Sequence, residues 1–373
     1  MTAVYHLLDE AEVFSERDGG AISRWAANVL RKGTEVIVCA AFDSSWGFPP
    51  ERIYQLPQWS LTHPIHPVLY RMPWICQQKA YRYVFRPLLS KLKRGDLLYV
   101  HNRPESAAVL STIAQQHGIQ IVLHMQNSHL VRAKRGQLEA LRKTPIVFNC
   151  EFLREEVNNA FPNHFQRTHV VYNGADGQKF YPLKRNPNSV PVVIYTGRLV
   201  PYKGVHVLLE AMRILERNKI DAKCKIVGAS GFGKSKPTRY VYELQRRSPN
   251  NTEFVGYAAG DALADLLRGA DIFCCPSTWN EPFSLAALEA MATGLPVVAS
   301  NVGGLREMFA HGGGVLVPPN APERLATALK RLLTDPPYRE ELGAQALVAF
   351  KDHFSWGHAR DQYDRVVRSL LLR

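Results

Sequence analysis

In the second half of the chain, short apolar runs rich in β-branched residues alternate with segments whose apolar positions recur every three to four residues. No other feature narrows the fold as far. The runs are 192–195, 224–227, 254–255, 272–275, 297–299 and 315–317, and between the first two Val205, Leu208, Leu209, Met212 and Leu215 mark one face of a helix. Strand-like runs alternating with helical ones predict βαβ units, and so a parallel sheet covered by helices on both faces. Right-handed crossovers gather the loops at the carboxyl ends of the strands, where such sheets bind ligands.

The first half repeats this rhythm more loosely, with predicted strands at 4–8, 36–40, 97–100, 120–124, 146–149 and 169–172 and helices at 21–30 and 107–116. Between the halves, 181–191 is polar and carries Pro182, Pro187 and Pro191, the chemistry of a linker. The expected organisation is therefore an α/β chain with one domain over 1–180, a second over 181–353 and a helical segment over 354–373. A length of 373 residues, 46% of them apolar, supplies two cores of ordinary size. Two such domains would set two rows of strand ends across a cleft, suited to a reaction between two substrates.

The sharpest local pattern runs from Pro276-Ser-Thr-Trp-Asn-Glu-Pro-Phe-Ser-Leu to Val-Val-Ala299. A buried strand ends in a polar loop and enters a helix near Phe283 or Ser284, so unpaired backbone N–H groups at Ser284 and Leu285 face an anion-binding spot. Glu281 precedes that helix and Glu289 lies eight residues on, within an apolar run; at 1.5 Å per helical residue their carboxylates stand up to roughly 12 Å apart. Carboxylates accept from hydroxyl pairs and a helix start receives phosphates, which together match a sugar, a diphosphate and a ribose. A second pattern, Tyr195-Thr-Gly-Arg-Leu-Val-Pro-Tyr-Lys-Gly204, puts Arg198 and Lys203 on the loop after the first strand of the second domain. Two cations there would clamp a diphosphate and stabilise it as a leaving group. Near the start, Gly19 and Gly20 precede a helix, which suits close backbone approach to a ligand.

These patterns, in this order, resemble the family 4 retaining glycosyltransferases over nearly the whole chain. The likeness includes Asp18-Gly-Gly-Ala-Ile, Tyr172-Asn-Gly-Ala-Asp176 and Ser300-Asn-Val-Gly-Gly304. It implies the GT-B architecture of two Rossmann-like domains facing across a cleft, a last helix returning to the first domain, and a nucleotide-sugar donor. Glu281 and Glu289 would contact donor sugar and ribose, and Arg198 and Lys203 the diphosphate. His101-Asn-Arg and Leu123-His-Met-Gln-Asn127 look most like bacterial members that extend lipopolysaccharide or exopolysaccharide. Two positions depart from the family. Ser284 stands where relatives carry glycine, and could cap the helix or add a phosphate contact. The cleft histidine's usual place holds Gln126, with His124 two residues earlier on the same strand face, so either reaches the cleft unless His124 is a core histidine.

No Asp-x-Asp occurs and no His/carboxylate cluster has ligand spacing, so no metal or other cofactor is expected. With no dedicated nucleophile in sight, a same-face transfer assisted by the leaving diphosphate is expected over a covalent intermediate. Gly228-Ala-Ser-Gly-Phe-Gly-Lys-Ser235 has P-loop spacing, but Pro237 falls in the first turn of the helix that would follow. An ATP-dependent P-loop enzyme is the alternative from another class, and a GDP-mannose enzyme the alternative within the fold.

Forty-six Lys and Arg against thirty-three Asp and Glu leave a net charge of +13, which favours an anionic partner. From Arg52 to Gly95 there is no acidic residue, while Arg71, Lys79, Arg82, Arg86, Lys91, Lys93 and Arg94 are interleaved with Trp59, Tyr70, Trp74, Tyr81, Tyr83 and Phe85. Basic plus aromatic suits anionic headgroups or lipid-linked glycans. No nucleic-acid motif accompanies it, and nucleic acid is not expected as a partner. The start reads as a first strand and not a signal peptide, no apolar run is long enough to span a bilayer, and six scattered cysteines read as buried thiols. The expected setting is cytoplasmic, at the inner face of the membrane. There a hexose or N-acetylhexosamine would pass from a donor, UDP-linked by preference, to a lipid-linked or polysaccharide acceptor.

Overall fold

The computed structural model describes residues 2–9, 12–16, 19–56, 74–184, 186–231 and 236–371. The chain divides into two compact units, one made of 1–172 with 360–373 and the other of 173–359.

The first unit carries strands β1 (Val4–Leu7), β2 (Val13–Phe14), β3 (Val36–Cys39), β4 (Ala41–Phe42), β5 (Ile53–Gln55), β6 (Leu97–His101), β7 (Gln120–Met125), β8 (Ile146–Phe148) and β9 (Thr168–Val170). Seven of them form a parallel sheet in the order β5-β3-β1-β6-β7-β8-β9, and β2 pairs with β4 alone. Its helices are α1 (Ala21–Val29), α2 (Trp74–Leu89), α3 (Pro104–His117), α4 (Arg135–Leu141) and α5 (Glu151–Ala160). The second unit has a six-stranded parallel sheet, β12-β11-β10-β13-β14-β15, built from β10 (Val192–Thr196), β11 (Lys223–Val227), β12 (Thr252–Gly256), β13 (Ile272–Cys275), β14 (Val297–Ser300) and β15 (Gly314–Val317). Around it lie α6 (Val205–Arg217), α7 (Arg239–Arg246), α8 (Gly260–Arg268), α9 (Leu285–Ala292), α10 (Leu305–Met308), α11 (Pro322–Thr334) and α12 (Pro336–His353). Two α/β units with doubly wound parallel sheets are the Rossmann-like pair expected from the alternation.

Each sheet has one point where the chain reverses its direction of strand addition. In the second unit it winds outward from β10 through β11 to β12, then returns to the other side of β10 with β13. The loops after β10 and β13 therefore diverge from neighbouring strands and leave a crevice between them, the usual ligand position in such sheets. The apolar stripe of α6 seals one face: Val205, Leu208, Leu209, Met212 and Leu215 are buried with Val193, Ile226 and Leu329 in one core.

Two boundaries differ from the expected ones. The first crossing lies at Tyr172/Asn173 and not at 180/181, and the return lies at Ala359/Arg360, inside α13 (Trp356–Leu371), not at 353/354. The polar, proline-bearing segment is strapped onto the second unit: Asn188 Nδ2 donates to Asp271 Oδ2 at 2.6 Å, which also accepts from Val192 N–H at 2.7 Å. Asn188 therefore anchors the end of this segment to the second unit, although most of its described residues are exposed. Within the first unit, the Tyr172 N–H donates to the Gln362 side chain at 2.9 Å. Helices α2, α4 and α5 are not among the expected ones; α5 buries Leu153 and Val157 alone, so its apolar stripe is short. Among the described residues, no helix is long and apolar enough to cross a membrane. The cysteines carry free thiols, buried except for the half-buried Cys76.

Candidate active site

The loop after β10 is shaped by two close approaches. Gly204 takes φ +72°, and a Cβ there would stand 1.8 Å from the Pro276 carbonyl oxygen. Only glycine fits where the two strand-end loops touch. Just before it, a single 3₁₀ turn over Pro201–Lys203 presents the lysine. The Tyr202 carbonyl accepts from Thr278 N–H at 2.9 Å and so ties the β10 loop to the β13 loop.

This contact brings Lys203 to Glu281. The ammonium Nζ donates to Oε1 at 2.8 Å and to Oε2 at 2.6 Å, with the carboxylate buried and the lysine mostly so. Oε2 also accepts from Ser277 Oγ at 3.0 Å and Trp279 Nε1 at 3.1 Å. Arg198 donates through Nη2 to Tyr202 Oη at 2.7 Å, and the Tyr202 ring lies 5.0 Å from that of Trp279. Cations and carboxylate, drawn from two strand ends, thus form one array at the crevice of the second sheet. Beneath it, Gly304 N–H donates to the Glu281 carbonyl at 2.8 Å, and a Cβ on Gly303, at φ +53°, would fall 2.2 Å from that oxygen.

Ser284 is the N-cap of α9, its Oγ accepting from Ala287 N–H at 3.3 Å, and Leu285 is the first helical residue. The glycine-to-serine departure therefore stabilises the helix start. Phe283 is buried, with its ring 5.8 Å from Phe354. Glu289 is buried on α9, as expected of a carboxylate in so apolar a helix. Burial, reinforced by the nearby Glu281 charge, pushes the Cys275 thiol up to about 11, so it is an inert neighbour of the site.

In the first unit the expected residues fare differently. Gly19 is required by packing, since a Cβ would lie 2.2 Å from the Ser15 carbonyl oxygen. Gly20 is the N-cap of α1, and the Glu12 carboxylate accepts there from Ser23 N–H at 2.9 Å. Glu12 thus occupies the spot read as a phosphate approach, and burial pushes its carboxyl up to about 7 against the opposing Ser23 hydrogen bond. Gln126 is buried at the end of β7, its backbone N–H donating to Asn102 Oδ1 at 2.6 Å. Asp18 lies outside the described residues.

His124 requires a correction. It is wholly buried, edge-on to Trp25 with ring centroids 4.6 Å apart, and its Nδ1 lies 3.1 Å from His101 Nδ1. Burial, then the neighbouring His6, drives its pKa down to about 3. A ring so enclosed is the core histidine that the sequence left open, and no catalytic role is carried forward for it. The chain continues from His101 Nε2 to His6 Nδ1 at 3.2 Å, from His6 Nε2 to Tyr363 Oη at 3.0 Å, and from that hydroxyl to Glu35 Oε1 at 2.5 Å. Because Tyr363 donates to Glu35, it accepts from His6, which places a proton on His6 Nε2.

Ser277, Trp279, Tyr202 and Glu12 were not singled out from the sequence. The signal for the first two was their spacing, two residues apart and just ahead of Glu281. Of the P-loop-like stretch, 232–235, with Lys234, lie outside the described residues, as do Trp59, Tyr70 and Arg71 of the basic stretch. The rest of that stretch includes α2, which buries Gln77, Tyr81, Phe85 and Leu88 and exposes Ile75 (66%), Tyr83 (65%), Lys79, Arg82 and Arg86 on the other side. A pocket of about 610 Å³ between α6, α7 and Asn320 contains none of the expected site residues.

The sequence profile of the family described as "Glycosyl transferases group 1" matches residues 181–347. D-inositol 3-phosphate glycosyltransferase of Corynebacterium urealyticum is 32% identical over 242 residues, which cover 60% of this chain and just over half, 56%, of that protein. Sucrose-phosphate synthase from Thermosynechococcus elongatus superposes with a TM-score of 0.77 at 22% identity, over 99% of both chains. Anabaena Alr3699/HepE, solved in complex with UDP-glucose, superposes with a TM-score of 0.73 at 20% identity, over 98% of this chain and 99% of that one.

Proposed function

We propose that the chain, whose residues 181–347 match the group 1 glycosyltransferases and whose fold is GT-B, moves a hexose or N-acetylhexosamine from a UDP-sugar to a lipid-linked or polysaccharide acceptor. The observation that carries the reading is the Lys203–Glu281 pair at the crevice between β10 and β13. A diphosphate draws the lysine ammonium toward itself, joined by Arg198 and by the backbone N–H groups at Ser284 and Leu285. Glu281 then accepts from sugar hydroxyls, Glu289 from the ribose diol, and Phe283 packs beneath. UDP is the favoured nucleotide because UDP-glucose is the ligand named for HepE.

In this reading the transfer retains configuration. Acceptor and donor react on one face, and the departing diphosphate takes the acceptor's proton. The positive charge that steadies the diphosphate comes from Lys203, Arg198 and the α9 start, so no metal is required. Of the first unit's candidates Gln126 is kept as a substrate contact, since Glu12 already holds the α1 start at Gly20. The α2 stripe of Ile75, Lys79, Arg82, Tyr83 and Arg86 supports a peripheral position on an anionic inner membrane surface, as cell-surface glycan synthesis would need.

Thermal melts with UDP, GDP and ATP, each with and without Mg²⁺, test this. UDP alone, at a hundred times its Kd, is expected to stabilise the protein by about 2.7 kcal/mol. A response confined to Mg-ATP would overturn the reading.

A further inference from the structure

The geometry points to Ser277 and Trp279 as positioning residues that hold the Glu281 carboxylate in place when the donor draws Lys203 away. This inference rests on the proposed role of Glu281 in receiving the donor sugar.

The argument starts from the acceptor sites of one carboxylate. Ionised, it offers about four lone-pair directions. Oε2 already takes Lys203 Nζ, Ser277 Oγ and Trp279 Nε1, whereas Oε1 takes Lys203 Nζ alone among the described residues. The group is gripped along one edge and left open along the other. Ser277 and Trp279 leave the same loop two residues apart, and the loop between them is pinned by Thr278 N–H to the Tyr202 carbonyl. Trp279 is itself braced by the Tyr202 ring. Neither neutral donor has an anionic ligand to follow.

Lys203 does. Once a diphosphate is bound, its ammonium is shared between two anions, and its hold on Glu281 loosens. Without the serine and the indole, the carboxylate would swing after the lysine or turn toward water. With them, Oε1 keeps its direction and presents one acceptor site to one sugar hydroxyl. A misdirected carboxylate leaves nucleotide affinity largely intact, because the diphosphate contacts survive, but it spoils the placement of the sugar for transfer. The expected signature is therefore a loss in kcat at nearly constant KM.

The test uses the full chain and whichever of UDP-glucose, UDP-galactose and UDP-N-acetylglucosamine the wild type turns over fastest, read as UDP release. Trp279→Phe keeps the ring against Tyr202 but removes the N–H; kcat is expected to fall about tenfold with donor KM within twofold. Ser277→Ala is expected to behave alike, Ser277→Thr to restore most of the rate, and the double variant to lose about a hundredfold. In ¹H–¹⁵N spectra of the unliganded protein, the Trp279 indole N–H is expected to exchange slowly in the wild type and quickly in Glu281→Ala. Wild-type kcat in the double variant, or an indole signal indifferent to Glu281, overturns the positioning role while leaving the transfer reading intact. Wild-type turnover in Glu281→Ala, or no turnover of any UDP-sugar, overturns the transfer reading and the inference with it.

Discussion

The two units share a plan of parallel strands and covering helices, yet they dispose of their polar side chains in opposite ways. In the second unit the strands bury Val193, Ile194, Ile226 and Phe273, and the charged residues Arg198, Lys203 and Glu281 lie on the loops beyond β10 and β13. In the first, polar rings lie within the sheet: His6 on β1, His101 on β6 and His124 on β7, all fully buried and joined through Tyr363 to Glu35. The same fold thus leaves its ionisable groups open to a ligand in one unit and uses them to hold itself together in the other. Mutation and pH should separate the two kinds of group.

The largest effect is expected from Lys203→Ala. Transfer should drop by on the order of 10³-fold, because both the diphosphate clamp and the Glu281 contact are lost. Turnover assays, with circular dichroism to confirm the fold, read it directly. An active Lys203→Ala enzyme would break the comparison on the side of the second unit.

Acid comes next and should strike the first unit. Burial, then the neighbouring His124 and His6, holds His101 well below the ordinary imidazole range, and burial with His6 holds His124 at about 3. Below about pH 6.5 the unfolded chain takes up protons that the folded rings refuse, so stability falls by about 1.4 kcal/mol per pH unit for each histidine. Burial pushes Glu35 up, but His6 and the Tyr363 hydroxyl outweigh it and hold it low, so its contribution is lost as the pH drops further below the ordinary carboxylate value. Glu12 runs the other way. Its folded pKa of about 7 costs stability as pH rises from about 4.5 to 7, and offsets part of the histidine slope. Hydrogen exchange should show β6 and β7 opening before β10 and β13 as the pH drops. The reverse order would contradict the contrast between the units.

Tyr363→Phe removes the hydroxyl that links His6 to Glu35 and should cost about 1–3 kcal/mol in urea melts. UDP affinity should stay within twofold. Smallest is Ser284→Ala, which strips the α9 cap and should cost about 1 kcal/mol.

How much of this was legible in the sequence follows from how far each feature reaches along the chain. The α6 stripe and the Glu281–Glu289 spacing are local, and periodicity exposes them. Lys203 meets Glu281, with Arg198 on Tyr202 beside it, as expected of loops on neighbouring strands at the switch point, although the pairing itself depends on Gly204 touching Pro276. Ser277 and Trp279 stood in plain view, but only the direction of two side chains reveals what they grip. The histidine chain could not be read at all, since its links join residues up to 357 positions apart on separate elements. The difference in boundary has a chemical side: prolines and polar residues read as a linker, yet Asp271 ties Asn188, near the end of that segment, to the second unit.

The split of α13 at Arg360 bears on how the protein is made. Residues 1–172 leave the ribosome before 173–359, but Tyr363, Gln362 and Arg360, which bond His6, Glu35, Tyr172 and Val29, leave after both. The contiguous second unit has all of its chain before then. Synthesis therefore reverses the order in which the halves are completed, and the first unit waits, with the Tyr363 position beside His6 unfilled, for the turns of helix beyond Ala359.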